Sequence, residues 1–249
     1  LTASNLSGTS PSKSVILTVA PEKPLFSTSE VANPANLSGL KLWLDSRDSN
    51  TIFSDTALSS LSTSSVGGWK DKSGNNNHAV QSTSANRPTT TSSGIQFDGS
   101  NDGFTLTNDI SEANLNIFLV LQGYGFAFAN NGTDRALFLS SNQNLYWTFN
   151  SSHTFSNVTV SSYSASTSQL LEFSLNSGTA KLRLNGTEAS SQGSVSGNFK
   201  IDRIGLQWDE TTGQPTWTGK LMEIIAVSTT TDRAEIEGYL AHKWGLTNG

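Results

Sequence analysis

Trp217-Thr218-Gly219-Lys220-Leu221-Met222-Glu223-Ile224-Ile225-Ala226-Val227 reads as a strand entered from an aromatic and glycine corner. Its β-branched run of Ile224, Ile225 and Val227 suits a pleated, buried surface. Three threonines follow, and then a compact helix. Asp232 stands at the N-cap position, with Glu235 three residues on to close a capping box. Ile236, Tyr239, Leu240 and Trp244 recur at helical spacing, and Gly245 sits where a left-handed C-cap is wanted. A helix with so narrow an apolar stripe needs a larger partner to pack on. The chain before it reads as that partner, a long series of strands.

The strands follow from alternation. Leu40, Leu42 and Leu44 are expected on one face of the first strand, with Lys41, Trp43 and Asp45 on the other. Asn116 to Leu121 reads as a strand that is apolar from Ile117 on, the pattern of a strand buried on both faces. Ala136–Leu139 with Leu145–Phe149, and Leu170–Leu175 with Lys181–Leu184, form two expected hairpins. Asn185-Gly186 marks a turn after the second. Strands at this spacing, separated by polar turns, predict an all-β chain of two packed antiparallel sheets, with one short C-terminal helix.

Three stretches resemble the bacterial laminin G-like (concanavalin A-like) jelly-roll family. They are Glu223-Ile224-Ile225 with Glu237 to Leu246, Trp69 to Ala79, and Ile95 to Asp102, in the expected order from about Leu40 to the end. The resemblance implies a jelly-roll β-sandwich over residues 37–249. It does not by itself imply an activity, because this fold carries lectins, glycosidases, lyases and spacers alike. Residues 1–20 read as the C-terminal hairpin of a preceding immunoglobulin-like domain, ending in Leu17-Thr18-Val19, and residues 21–36, with Pro21, Pro24 and Pro34, as a linker. The chain starts without Met and is expected to be a piece of a longer protein.

Composition narrows the partners. Charged residues are 14% of the 249, and the net charge of −5 disfavours nucleic acid. No cysteine is present, which excludes disulfides and thiol chemistry. No apolar run is long enough to span a membrane, so membrane insertion is not expected. The three histidines, His78, His153 and His242, show no metal or triad spacing. No strand carries two acids at alternate positions, and Glu172 has no acidic partner two residues away, so no enzyme is expected. Glu223 is expected to anchor a structural hydrogen bond.

Two ligand classes remain. The tight loops holding Asp71 and Asn75, and Asp98 and Asp102, present oxygens that calcium could take, although the same residues also form Asx-turns without any metal. A neutral glycan would use an aromatic face and planar polar groups, for which Tyr124, Tyr146 and Trp208 with Asp209 are the candidates. Tyr124, between Gly123 and Gly125, is expected in a flexible loop. Six Asn-x-Ser/Thr sequons are what a chain this rich in Asn, Ser and Thr holds by coincidence. The leading expectation is a non-catalytic glycan-binding or adhesion module of a large extracellular or cell-surface protein, next to immunoglobulin-like domains. The alternatives are a structural or host-attachment domain of a phage virion and, third, a glycosidase or lyase.

Overall fold

The computed structural model describes residues 33–130, 136–140, 144–148, 156–159, 162–192, 196–206, 216–229 and 232–246. The expected immunoglobulin-like hairpin, and the linker up to residue 32, lie outside the described residues. At the linker's end, Pro34–Asn36 forms a single 3₁₀ turn whose Ala35 N–H donates to Asn33 Oδ1 (3.1 Å).

Eight strands make up the first half: β1 (Leu40–Asp45), β2 (Ile52–Phe53), β3 (Gly68–Trp69), β4 (Ala79–Val80), β5 (Thr89–Thr91), β6 (Gly94–Asp98), β7 (Phe104–Glu112) and β8 (Leu115–Ala129). Eight more follow: β9 (Ala136–Leu139), β10 (Asn144–Thr148), β11 (Ser156–Thr159), β12 (Gln169–Asn176), β13 (Thr179–Leu184), β14 (Thr187–Gln192), β15 (Phe199–Ile204) and β16 (Thr218–Val227). Helix α1 (Arg233–Trp244) closes the described chain. Both expected hairpins form, β9 with β10 and β12 with β13, and Asn185-Gly186 turns β13 into β14 at positive φ (47° and 77°).

All pairings are antiparallel and build a two-sheet sandwich. The first sheet runs β5–β6–β16–β8–β12–β13–β14, with β1 on the outer half of β16. The second runs β11–β10–β9–β8–β15–β7–β4–β3–β2. Strand β8 belongs to both: Leu115 to Leu121 pairs with β12, and Gly125 to Ala129 pairs with β9. A strand that changes sheets must bend. The bend is Gly123-Tyr124-Gly125, whose glycines have φ of 137° and 114°. A Cβ on Gly123 would stand 2.0 Å from the Thr218 carbonyl oxygen, so β16 crosses here at a distance that only glycine permits. Tyr124 is therefore in the middle of a continuous strand, and the flexible loop expected for it is corrected.

Between the sheets lies the main core, including Leu42, Leu44, Trp69, Phe97, Phe104, Leu119, Phe128, Phe173, Phe199 and Trp217. Several of its aromatic rings meet edge to face, as Phe97 does with Phe104 and Phe128 with Phe199. A smaller apolar layer on the opposite face of the first sheet joins Trp43, Phe118, Val120, Leu170, Met222 and Ile225 to Ile236 and Leu240 of α1. Central strand β8 is thus buried on both sides, which is why its sequence is apolar without alternation.

Two bulges re-aim side chains that simple alternation misplaces. One between Leu40 and Leu42 sets Leu40 on the helix side with Trp43, and not with Leu42 and Leu44 as expected. The other, between Leu221 and Glu223, places Met222 and Glu223 together on the helix side and returns Ile224 to the main core.

Glu223 is fully buried and its two oxygens organise the helix contact, the structural anchor expected of it. Oε1 accepts from Trp43 Nε1 (2.8 Å) and Tyr239 OH (2.9 Å), and Oε2 accepts from Trp244 Nε1 (2.6 Å). Lys243 Nζ lies 2.8 Å from Oε2 and 2.8 Å from Asp45, the residue opposite Glu223 on β1. At the ends of α1 the outcome is mixed. Gly245 is a left-handed C-cap (φ 65°), but Asp232 makes no side-chain cap and Glu235 is exposed, so the expected capping box does not form.

Candidate functional site

The helix covers only part of the first sheet's outer face. Beyond its N-terminus, β12 and β13 continue with alternate polar residues. Leu171, Phe173 and Leu175 turn into the core, which leaves Glu172, Ser174 and Asn176 on the outer face. Across the hairpin Glu172 opposes Arg183, Ser174 opposes Lys181, and Asn176 opposes Thr179; on the other side Ser174 opposes Asn116 of β8. Residues opposed in this way share a face. With Arg233 from the start of α1 they line a cleft of about 300 Å³.

The cleft is built on ion pairs. Glu172, 2% exposed, accepts from Arg183 Nη1 (2.9 Å) and Arg233 Nε (3.0 Å). Arg233 also donates to Glu237 Oε1 (2.8 Å) and the Gly186 carbonyl (3.2 Å). Burial pushes the Glu237 carboxyl up to about 7, against the pull of Arg233. At the rim, Glu188 pairs with Lys181 (2.9 Å) and Arg183 (3.4 Å). Three cations thus face three carboxylates. Among the described residues the amides are only partly satisfied: Asn116 donates to the Thr229 carbonyl (2.5 Å) and accepts from Asn176 Nδ2 (2.8 Å), while Asn176 Oδ1 is buried without a partner.

Reading by sequence spacing did not find this cleft. Glu172 has no acidic partner two residues away, and its acidic and basic neighbours arrive from other elements. The signal present in the sequence was the polar alternation of 172, 174, 176 and 179, 181, 183.

The expected metal residues have other tasks. Asp71 accepts four hydrogen bonds, from Trp43 N (2.9 Å), Ser73 N (2.9 Å), Ser73 Oγ (2.7 Å) and Asn77 N (3.0 Å). These fill the acceptor capacity of a carboxylate. Asn75 and Asn77 donate to the carbonyls of Leu40 and Lys41 (2.8 Å each), so this loop clasps the start of β1. Asp98 closes an Asx-turn on Ser100 N (2.8 Å), and Asp102 accepts from Asp98 N (3.0 Å). Burial and the neighbouring Asp98 charge raise the Asp102 carboxyl to about 6. Among the described residues no three Asp, Glu or His side chains converge in a group that could hold a metal ion.

Of the expected glycan contacts, Tyr124 is 38% exposed, with Thr218 and then Asp98 beside it on the neighbouring strands β16 and β6. The fold therefore brings one expected glycan residue and one expected metal residue to the same end of the first sheet. Tyr146 is on β10, opposite Phe138 and Asn157; Trp208 and Asp209 lie outside the described residues.

No family model and no curated protein matches this chain. Solved structures do. A Trypanosoma rangeli sialidase in complex with sialic acid is similar with a TM-score of 0.56 at 12% identity, over 86% of this chain and 34% of that one. A GH54 α-L-arabinofuranosidase is similar with a TM-score of 0.53 at 14% identity, over 71% of this chain and 51% of that one. This chain spans about a third of the length of the sialidase chains it matches. At such identities the likeness is one of fold. The expectation that no enzyme is present is corrected by this likeness, because the two structures named here as sharing the fold are those of a sialidase and an α-L-arabinofuranosidase. That expectation rested on acids two residues apart in one strand. Here Glu172 of β12 and Glu237 of α1 are joined through Arg233 without any such spacing.

Proposed function

We propose that this β-sandwich recognises carbohydrate as a domain of a carbohydrate-active protein, and that it is a laminin G-like domain. The observation that carries the first part is the shared fold with a sialidase and an α-L-arabinofuranosidase, two proteins that act on sugar linkages. Support for the second is that the closing stretch used for the resemblance, with Glu223, Tyr239, Lys243 and Trp244, is the stretch that locks helix to sheet.

The test is a glycan-array screen of the 249-residue chain, in calcium and again in chelator, run beside an assay for release of 4-nitrophenol from 4-nitrophenyl glycosides. Retention of one group of related glycans is the expected result, and hydrolysis would place turnover in this domain itself. A chain that neither retains a glycan nor cleaves a glycoside would overturn the proposal.

A further inference from the structure

From the geometry of the cleft between β12, β13 and the start of α1 we infer that it is the sugar-contacting site, and that it takes one uncharged sugar residue through hydrogen bonds alone. The inference rests on the carbohydrate reading above and adds to it a place and a ligand class.

Charge is the first argument. Lys181, Arg183 and Arg233 are each already paired with Glu172, Glu188 or Glu237, so the cleft offers no free charge to an ionic ligand. An anion would have to displace either Glu172, held by Arg183 and Arg233, or Glu188, held by Lys181 and Arg183.

Polar groups are the second. Among the described residues Asn176 Oδ1 is buried without a partner. Ser174 is 2% exposed and lines the cleft. A buried polar atom left unpaired costs about 1–3 kcal/mol, so such atoms mark where a ligand or water is held. With Thr179 they present two hydroxyls and one amide oxygen, a set that suits a ligand able both to donate and to accept through hydroxyl groups.

Size and walls are the third. The volume of about 300 Å³ is at the lower end for a small-molecule site and suits one sugar ring with some water. Among the described residues no aromatic side chain lines it, so none of them adds stacking and binding should be weak.

The experiment uses calorimetric titration of the whole chain with D-glucose, D-galactose, D-xylose, L-arabinose and N-acetylneuraminic acid, and with the strongest array glycan. Variants are Ser174→Ala with Thr179→Val, which leave the ion pairs in place, and Tyr124→Ala at the far end of the sheet. Two lost neutral hydrogen bonds should weaken binding about tenfold at unchanged melting temperature, with Tyr124→Ala close to wild type. Preference for N-acetylneuraminic acid over the neutral sugars would overturn the ligand class. Binding lost in Tyr124→Ala and kept in the double variant would overturn the site and leave the carbohydrate reading standing. Failure of every glycan on the array would remove both.

Discussion

Replacing Glu223 by Gln tests whether one buried carboxylate holds the helix to the sandwich. Each carboxylate oxygen serves two groups: Oε1 takes Trp43 Nε1 and Tyr239 OH, and Oε2 takes Trp244 Nε1 and Lys243 Nζ. Glutamine has one oxygen. Whichever way its amide turns, an NH₂ group must face two donors in a site with no water access. Two charge-assisted hydrogen bonds disappear, at about 1.5–3 kcal/mol each, and Lys243 loses one of its two carboxylates. The expected loss is about 3–5 kcal/mol. In a chain of this size that is roughly a 10 °C fall in melting temperature. Differential scanning calorimetry gives the loss, and near-ultraviolet circular dichroism reports Trp43 and Trp244 as the helix detaches. A variant melting within about 2 °C of wild type would show that apolar contacts of Ile236 and Leu240 carry the helix by themselves, and the reasoning would fail.

Three further outcomes are expected. Gly123→Ala should cost more than about 3 kcal/mol, because its Cβ meets a backbone oxygen at 2.0 Å, while Gly74→Ala, at φ 88° with open space around it, should cost only about 1–2 kcal/mol of backbone strain; equal losses by urea unfolding would refute the steric account. Asp102 is raised from 3.8 to about 6 in the folded protein, so the folded state binds its proton more tightly than the unfolded chain. That contribution is full below pH 3.8 and is lost as pH rises through about 6, so Asp102→Asn should gain on wild type across this window; parallel stability profiles would refute it. Asp71→Ala should lose about 2–4 kcal/mol and speed amide exchange at Trp43 and Asn77, while chelator leaves the wild-type melting temperature unchanged; a chelator-sensitive wild type would return a cation to that loop.

Much of the sandwich was legible because burial imposes a period. Leu171, Phe173 and Leu175 alternate with Glu172, Ser174 and Asn176, and the strand follows that pattern without interruption. The unbroken apolar run through Phe118 and Val120 announced burial on both faces, and the structure supplies the reason in α1. What failed were positions where one residue breaks the period. A bulge costs a single extra residue and leaves no compositional trace, so Leu40 was assigned to the wrong face. Gly123-Tyr124-Gly125 has the composition of a loop, yet the two glycines serve a strand that changes sheets. Gly-rich sequence signals close backbone approach as well as freedom, and only the partner strand tells the two apart.

The cleft shows why local spacing finds one half of a site and not the other. The hairpin half follows from register: once the chain turns through Ser177-Gly178, Glu172 must oppose Arg183 and Ser174 must oppose Lys181. Arg233 and Glu237 come from a helix whose position depends on the bulge that points Glu223 outward, in a strand three places after the hairpin. Without Arg233, Glu172 is a buried acid with one partner. With it, the acid is held between two guanidinium groups and joined to Glu237, whose carboxyl burial raises to about 7. Helix docking therefore completes the cleft, and Glu223→Gln should weaken sugar binding as well as stability, although Glu223 is not among the residues that line it. Binding retained by a variant whose helix has detached would break that link.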